Sequence, residues 1–199
     1  MRIAILGAGN VGGGLGTAFG SVGHEVVFGV RDPDSDRTRA AVDAARGSSA
    51  TDAATAVDGA DLVVFALRWD AAAELLPTLP SLAGRTVIDA MNRFSDPLRS
   101  TTQDLADRLP GARLVKAFNT TGFENMSTAR ERSLPGAMFI AGDDAEAKTT
   151  AMRLAEEVGF VAEDAGPLAN AKVLEDMVKV WLILAQAHTR RVAFAISRG

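Results

Sequence analysis

Three glycines and a set of polar and aromatic residues behind apolar runs are where this chain could do chemistry. Gly7-Ala8-Gly9-Asn10-Val11-Gly12 fits G-x-G-x-x-G and follows directly on the apolar run Arg2-Ile3-Ala4-Ile5-Leu6. Helical spacing then appears at Leu15, Ala18, Phe19 and Val22, with Gly23 as the stop. Glycine-rich turns are common, so the pattern alone says little. A strand, this turn and a helix in that order form the unit that binds a dinucleotide. Gly7 would make the tight turn, Gly9 would let the backbone approach a pyrophosphate, and Gly12 would let the helix close on the strand. Asn10 and Val11, at the helix start, share the free N–H groups that meet the phosphate charge. The competing reading is a tight strand-to-helix turn in some other α/β protein.

The next apolar run, Glu25-Val26-Val27-Phe28-Gly29-Val30, decides which dinucleotide. An NAD site has an acidic residue at the end of that strand, accepting the ribose hydroxyls. Val30-Arg31 stands there instead, followed by Asp32-Pro33. A guanidinium can pair with a 2′-phosphate, which a carboxylate cannot. Arg31 therefore predicts NADP over NAD, with Arg37 and Arg39 adding positive potential. The alternative makes Arg31 a solvated loop residue and Asp32 the ribose ligand.

Three further run ends carry candidate groups: Leu67-Arg68-Trp69, Ala90-Met91-Asn92-Arg93, and Phe118-Asn119-Thr120-Thr121-Gly122. In an open α/β sheet, ligands gather at the carboxyl ends of strands. Leu67 and Arg68 are expected beside the cofactor. Asn92 and Asn119 are expected at the nicotinamide carboxamide or ribose, and Trp69 or Phe118 could flank a planar ring. Taken singly, each reads first as a loop or packing residue; together they describe the nicotinamide end of a cofactor cleft. Arg68, Trp69, Asn92, Phe118 and Asn119 form the candidate reaction pocket, without a Ser/His/Asp triad or paired catalytic carboxylates. Hydride transfer needs orientation more than acid–base help, so their absence is tolerable.

Composition narrows the classes. The chain has 199 residues, 47% hydrophobic and 23% charged, which suits one α/β domain over 1–199. A net charge of −4 without a basic stripe argues against nucleic acid. With no cysteine and two histidines, disulfides, thiol nucleophiles and a metal cluster are not expected. His24 is expected exposed in a turn. The first strand starts at Met1, and the longest apolar run, Val180 to Ala185, is short for a membrane span. A cytoplasmic protein is the expectation.

Helix candidates at 38–46, 51–57, 70–76, 101–109 and 145–158 alternate with strand candidates at 62–67, 86–90, 113–118 and 137–141, with 160–162 as a possible edge strand. This predicts a Rossmann-like, doubly wound, mostly parallel sheet, closed by a long C-terminal helix over about 169–196. That last helix is apolar on more than one face, at Leu174, Met177, Val178, Val180, Trp181, Leu182, Ile183 and Leu184. A surface helix needs only a stripe of ~100°. The surplus predicts a homodimer through this helix, against the alternative of a wholly intramolecular core helix.

From the first strand to the last helix the chain resembles the deazaflavin-dependent NADP reductases (NADPH:coenzyme F-420 oxidoreductases). The likeness rests on Gly9-Asn10, Gly23-His24-Glu25, Arg31, Ala141-Gly142-Asp143-Asp144, and Asp164-Ala165-Gly166-Pro167-Leu168 with Lys172-Val173-Leu174-Glu175. The family's Ser-Arg pair for the 2′-phosphate carries over to Arg31 but not to Val30. A Thr in the family's glycine loop is Ala8 here or lost. Lys116-Ala117-Phe118-Asn119-Thr120 and Arg68 resemble instead the nucleotide-binding domain of the six-transmembrane metalloreductases, where NADPH reduces a flavin. The resemblance implies an NADPH-dependent oxidoreductase passing hydride to a deazaflavin. A flavin, ferric, imine or carbonyl acceptor is the second expectation, and a non-catalytic NADPH-sensing module the third.

Overall fold

The computed structural model describes residues 1–198. Eight strands form one sheet: β1 (Arg2–Leu6), β2 (Glu25–Gly29), β3 (Ser48–Thr51), β4 (Leu62–Phe65), β5 (Thr86–Asp89), β6 (Arg113–Lys116), β7 (Ala137–Gly142) and β8 (Val161–Asp164). Seven α-helices lie between and after them: α1 (Asn10–Ser21), α2 (Asp36–Ala44), α3 (Ala53–Val57), α4 (Trp69–Leu75), α5 (Thr101–Arg108), α6 (Ala145–Glu157) and α7 (Ala171–Ala187). The strand order is 3-2-1-4-5-6-7-8, parallel throughout except where β7 runs against β6. The doubly wound, mostly parallel sheet read from the sequence is present.

Strand alternation splits the core into two layers. Ile3 and Ile5 face the side covered by Leu15 and Phe19 of α1 and Leu154 of α6. Ala4 and Leu6 face the other side, against Ala56 of α3, Ala72 of α4 and Leu105 of α5. Because both faces are covered, the central strands read as continuous apolar runs rather than alternating ones. Helix starts follow local rules: the side chains of Ser35, Asp52, Ser100 and Asp144 each accept an N–H of the first turn.

Three expectations are corrected. β3, missed in the sequence, is Ser48-Ser49-Ala50-Thr51; it is an edge strand paired only with β2 and has no apolar run to reveal it. The C-terminal helix starts at Ala171 and ends at Ala187, not near Ile196. Beyond it the chain doubles back: Val192 O accepts the Trp181 indole N–H at 2.8 Å, and Phe194 O accepts the Ala137 N–H at 2.7 Å. These tertiary hydrogen bonds hold the tail against the end of the sheet instead of in a helix. His24, finally, is mostly buried; its Nε2 lies 2.8 Å from Glu157 Oε2 and its Nδ1 3.3 Å from the Met1 amino group.

Candidate functional site

A cleft of about 1030 Å³ opens at the carboxyl ends of β1, β2 and β4. Its floor is the glycine turn. Gly7 has φ +104°, and a Cβ there would lie 2.7 Å from Leu67 Cδ2 and 2.8 Å from Ala66 O. A Cβ on Gly12 would fall 1.9 Å from Gly7 O, so helix and turn touch through backbone alone. Gly9 differs: it caps α1 without any side-chain hydrogen bond, and a Cβ on it would meet only the end of the Arg37 side chain. The first bond of α1 runs from Gly13 N to Gly9 O at 2.6 Å. The N–H groups of Asn10, Val11 and Gly12 therefore have no intrahelical acceptor, and the helix dipole adds positive potential at the same point.

The cleft brings together Gly7, Gly9, Asn10, Val11, Arg31, Leu67 and Arg68 of the expected cofactor residues. Arg31 is largely exposed and reaches Glu74 Oε2 at 3.4 Å. Arg68 precedes α4 and reaches Asp70 Oδ2 at 3.5 Å. Both pairs are long and solvated, and a phosphate would displace either carboxylate at little cost. Sequence reasoning missed Ser35, Thr38, Asp52 and Glu74, which also line the cleft. Ser35 and Asp52 are helix caps; only the cap pattern ahead of α2 and α3 could have pointed to them.

Asn92 and Asn119 lie elsewhere, joined to each other. Asn92 Nδ2 donates to Asn119 O at 3.0 Å, while Asn119 Nδ2 donates to Asn92 Oδ1 at 3.0 Å and to Leu174 O at 3.0 Å. The Asn119 amide is buried and spends its N–H groups on a strut between the β5 and β6 ends and α7, which leaves only its unpartnered Oδ1 for the expected bond to nicotinamide. Phe118 cannot flank a ligand ring. It is buried, packs edge-on against Phe19 at 5.6 Å, and gives its N–H to Met138 Sδ. Its φ of +59° is the one left-handed backbone outside glycine among the described residues. Trp69 is half-buried, with Arg93 and Arg108 guanidiniums over its ring at 4.9 and 5.4 Å. Arg93 is in turn bridged to Asp104 at 2.7 Å, so Trp69 props the segment after β5.

Beneath these strand ends lies a charge cluster that the sequence did not reveal. Lys116 Nζ reaches Glu175 Oε1 at 2.8 Å, Asp89 Oδ2 at 3.0 Å and Met91 O at 2.6 Å, all out of water. Thr101 and Thr102 complete it through hydroxyls bonded to Asp89 Oδ2. The late sequence motifs also meet. Asp143 Oδ1 accepts the Leu168 N–H at 2.9 Å, and Gly166 O accepts the Gly142 N–H at 3.1 Å. They set the entry to α7 and touch no part of the cleft.

Residues 2–93 match the protein family described as NADP oxidoreductase, coenzyme F420-dependent. A protein of Arthrobacter sp. FB24, provisionally assigned as an F420-dependent NADP reductase, superposes with a TM-score of 0.89 at 28% identity over all of both chains. Metalloreductase STEAP3 of Rattus norvegicus is 29% identical over 178 residues, which cover 87% of this chain and 36% of that protein. The chain thus spans about a third of that relative's length. An imine reductase of Aspergillus terreus shares the fold at 20% identity and a TM-score of 0.70, over 93% of this chain and 61% of its own.

Proposed function

We propose, from the match of residues 2–93 to the family of coenzyme F420-dependent NADP oxidoreductases, that residues 1–199 act as one NADP-binding unit moving hydride between nicotinamide C4 and a deazaflavin. The observation that carries this reading is the uncapped start of α1, where the free N–H groups of Asn10 and Val11 stand at an open cleft beside a glycine without a side chain. Those residues fit a pyrophosphate, and Arg31 stands where a 2′-phosphate would be held. Bound NADPH supplies the hydride. The chain's own work is to bind, orient and exclude water. Gly7, Gly9 and Gly12 let the backbone approach, Asn10 and Val11 donate N–H groups, and Arg31 and Arg68 bring charge. Leu67 supplies apolar wall. The Asn92–Asn119 strut stiffens the strand ends on which the nicotinamide half would rest. Orientation of the two rings then carries the reaction without an acid or base.

Similarity to a metalloreductase supports a second reading in which the acceptor is a free flavin or a ferric chelate. The two are separated by following NADPH oxidation with coenzyme F-420, free flavin, ferric chelate, an imine and a ketone offered in turn. Turnover with F-420 alone supports the first reading. Turnover with flavin or ferric chelate and none with F-420 moves the assignment to the second, and none with any acceptor leaves only the binding module.

The outer face of α7 supports a homodimer. Val173, Val180 and Ile183 are exposed there, with Met177 and Leu184 half-buried beside them. Trp181 is not part of that face: it is buried against its own chain, which corrects the expectation that it could meet a partner. No helix among the described residues is long and apolar enough to cross a membrane, and the cysteine-free chain fits a cytoplasmic enzyme.

A further inference from the structure

Four arginines stand on or beside the wall of the cleft, and one differs from the rest. Arg31 is paired with Glu74, Arg68 with Asp70, and Arg39 with Asp36. Arg37 lines the cleft and, among the described residues, forms no ion pair. Its Nη2 lies 2.9 Å from where a Cβ on Gly9 would be, so the guanidinium rests against the middle of the glycine turn. The backbone beneath it is held firmly. Thr38 is buried and its hydroxyl donates to Asp32 O at 3.0 Å, while Ser35 Oγ donates to the same carbonyl at 3.1 Å and caps α2. The side chain itself is exposed and free to swing. An unpaired cation thus rests over the glycine turn in the same cleft as the N–H groups that open α1.

We propose that Arg37 clamps the cofactor pyrophosphate, and that the two arginines divide the work: Arg37 holds any nicotinamide dinucleotide, and Arg31 chooses between them. This rests on the NADP reading above and deepens it. The pyrophosphate is common to NADPH and NADH, whereas only NADPH carries the 2′-phosphate. A lost charge-assisted hydrogen bond should therefore appear equally with both cofactors at Arg37 and with one at Arg31.

The test is equilibrium titration of NADPH and NADH into wild type, Arg37→Ala, Arg37→Lys and Arg31→Ala, with circular dichroism to confirm folding. Arg37→Ala is expected to weaken both cofactors by the same factor, about ten-fold or more. Arg37→Lys should recover part of the loss. Arg31→Ala should weaken NADPH alone. A loss confined to NADPH in Arg37→Ala would make Arg37 a 2′-phosphate ligand and overturn the division of work. Unchanged affinity for both cofactors would overturn the clamp. Failure of the wild type to bind either nucleotide is a separate result, and it would sink the NADP reading itself.

Discussion

Lys116 and Glu175 form a 2.8 Å ion pair with both side chains out of water, tying the end of β6 to the second turn of α7. Asp89 shares the same lysine at 3.0 Å, so one ammonium serves two buried carboxylates. Lys116→Met would leave both carboxylates without their cation, and removing one partner of a buried pair costs about 3–5 kcal/mol. Urea unfolding should show a loss of that size. Glu175→Gln keeps an acceptor for the Thr101 N–H and leaves Asp89 on the lysine, so its loss should be clearly smaller. Equal losses in the two variants would show that the lysine is not the keystone.

The glycine turn separates folding from binding. Gly9→Val places its branch toward a movable arginine, so the variant should fold with near wild-type denaturant midpoint and lose NADPH affinity. Gly12→Ala must push Gly7 O away from 1.9 Å and should fold poorly or not at all. Normal NADPH titration of folded Gly9→Val would place the cofactor elsewhere.

Much of this was legible because β1, the turn and α1 are local: period, glycine spacing and a stop at Gly23 are all read within two dozen residues. Asn119 and Phe118 show where that kind of reading ends. Both sit behind a strand, where ligand groups are expected, yet a partner 55 residues away, Leu174 O, claims the Asn119 amide. Lys116 looks like a strand-end cation, and only the packing of α7 and α5 over it brings Glu175 and Thr101 into range. β3 has four small or hydroxylated residues, so burial gave no period to read. Such contacts between distant segments leave no mark on either segment alone.

Arg31 and Glu74 offer a graded test of cofactor choice. Their pair is solvated and 3.4 Å long, and such pairs contribute about 0.2–1 kcal/mol. Glu74→Gln should free the guanidinium and tighten NADPH by at most about five-fold, with NADH unchanged. Calorimetry on both cofactors decides it. Tightening of both together would mean that Glu74 repels the pyrophosphate and not that it competes for Arg31.

Acid should loosen the entry to α7. The Gly166 N–H and then Lys148 hold the Asp164 carboxyl below its ordinary value of 3.8. A group depressed in the folded state contributes stability above its unfolded value and loses it as pH falls through the folded one. The contribution is thus intact at neutral pH and disappears below about 3.8. Exchange of the Gly166 amide should accelerate in that range, and Asp164→Asn should show the faster exchange already at neutral pH. Identical exchange profiles for the two proteins would remove Asp164 from the account.

The outer face of α7 should decide the assembly. Val173, Val180 and Ile183 are more than half or about half exposed on one helix, and a two-fold pair is the commonest way for such a surface to be covered. Sedimentation of wild type at micromolar concentration should give a dimer. Ile183→Glu and Val180→Glu put charge where a partner would sit and leave the core untouched, so each should yield a folded monomer that still binds NADPH. Trp181→Glu serves as the contrast. It buries a carboxylate beside Gly122 and takes away the indole N–H that holds Val192 O, so it should unfold the chain instead of splitting a pair. Wild type sedimenting as a monomer at every concentration, with full NADPH oxidation, would show that the stripe on α7 is not a dimer interface.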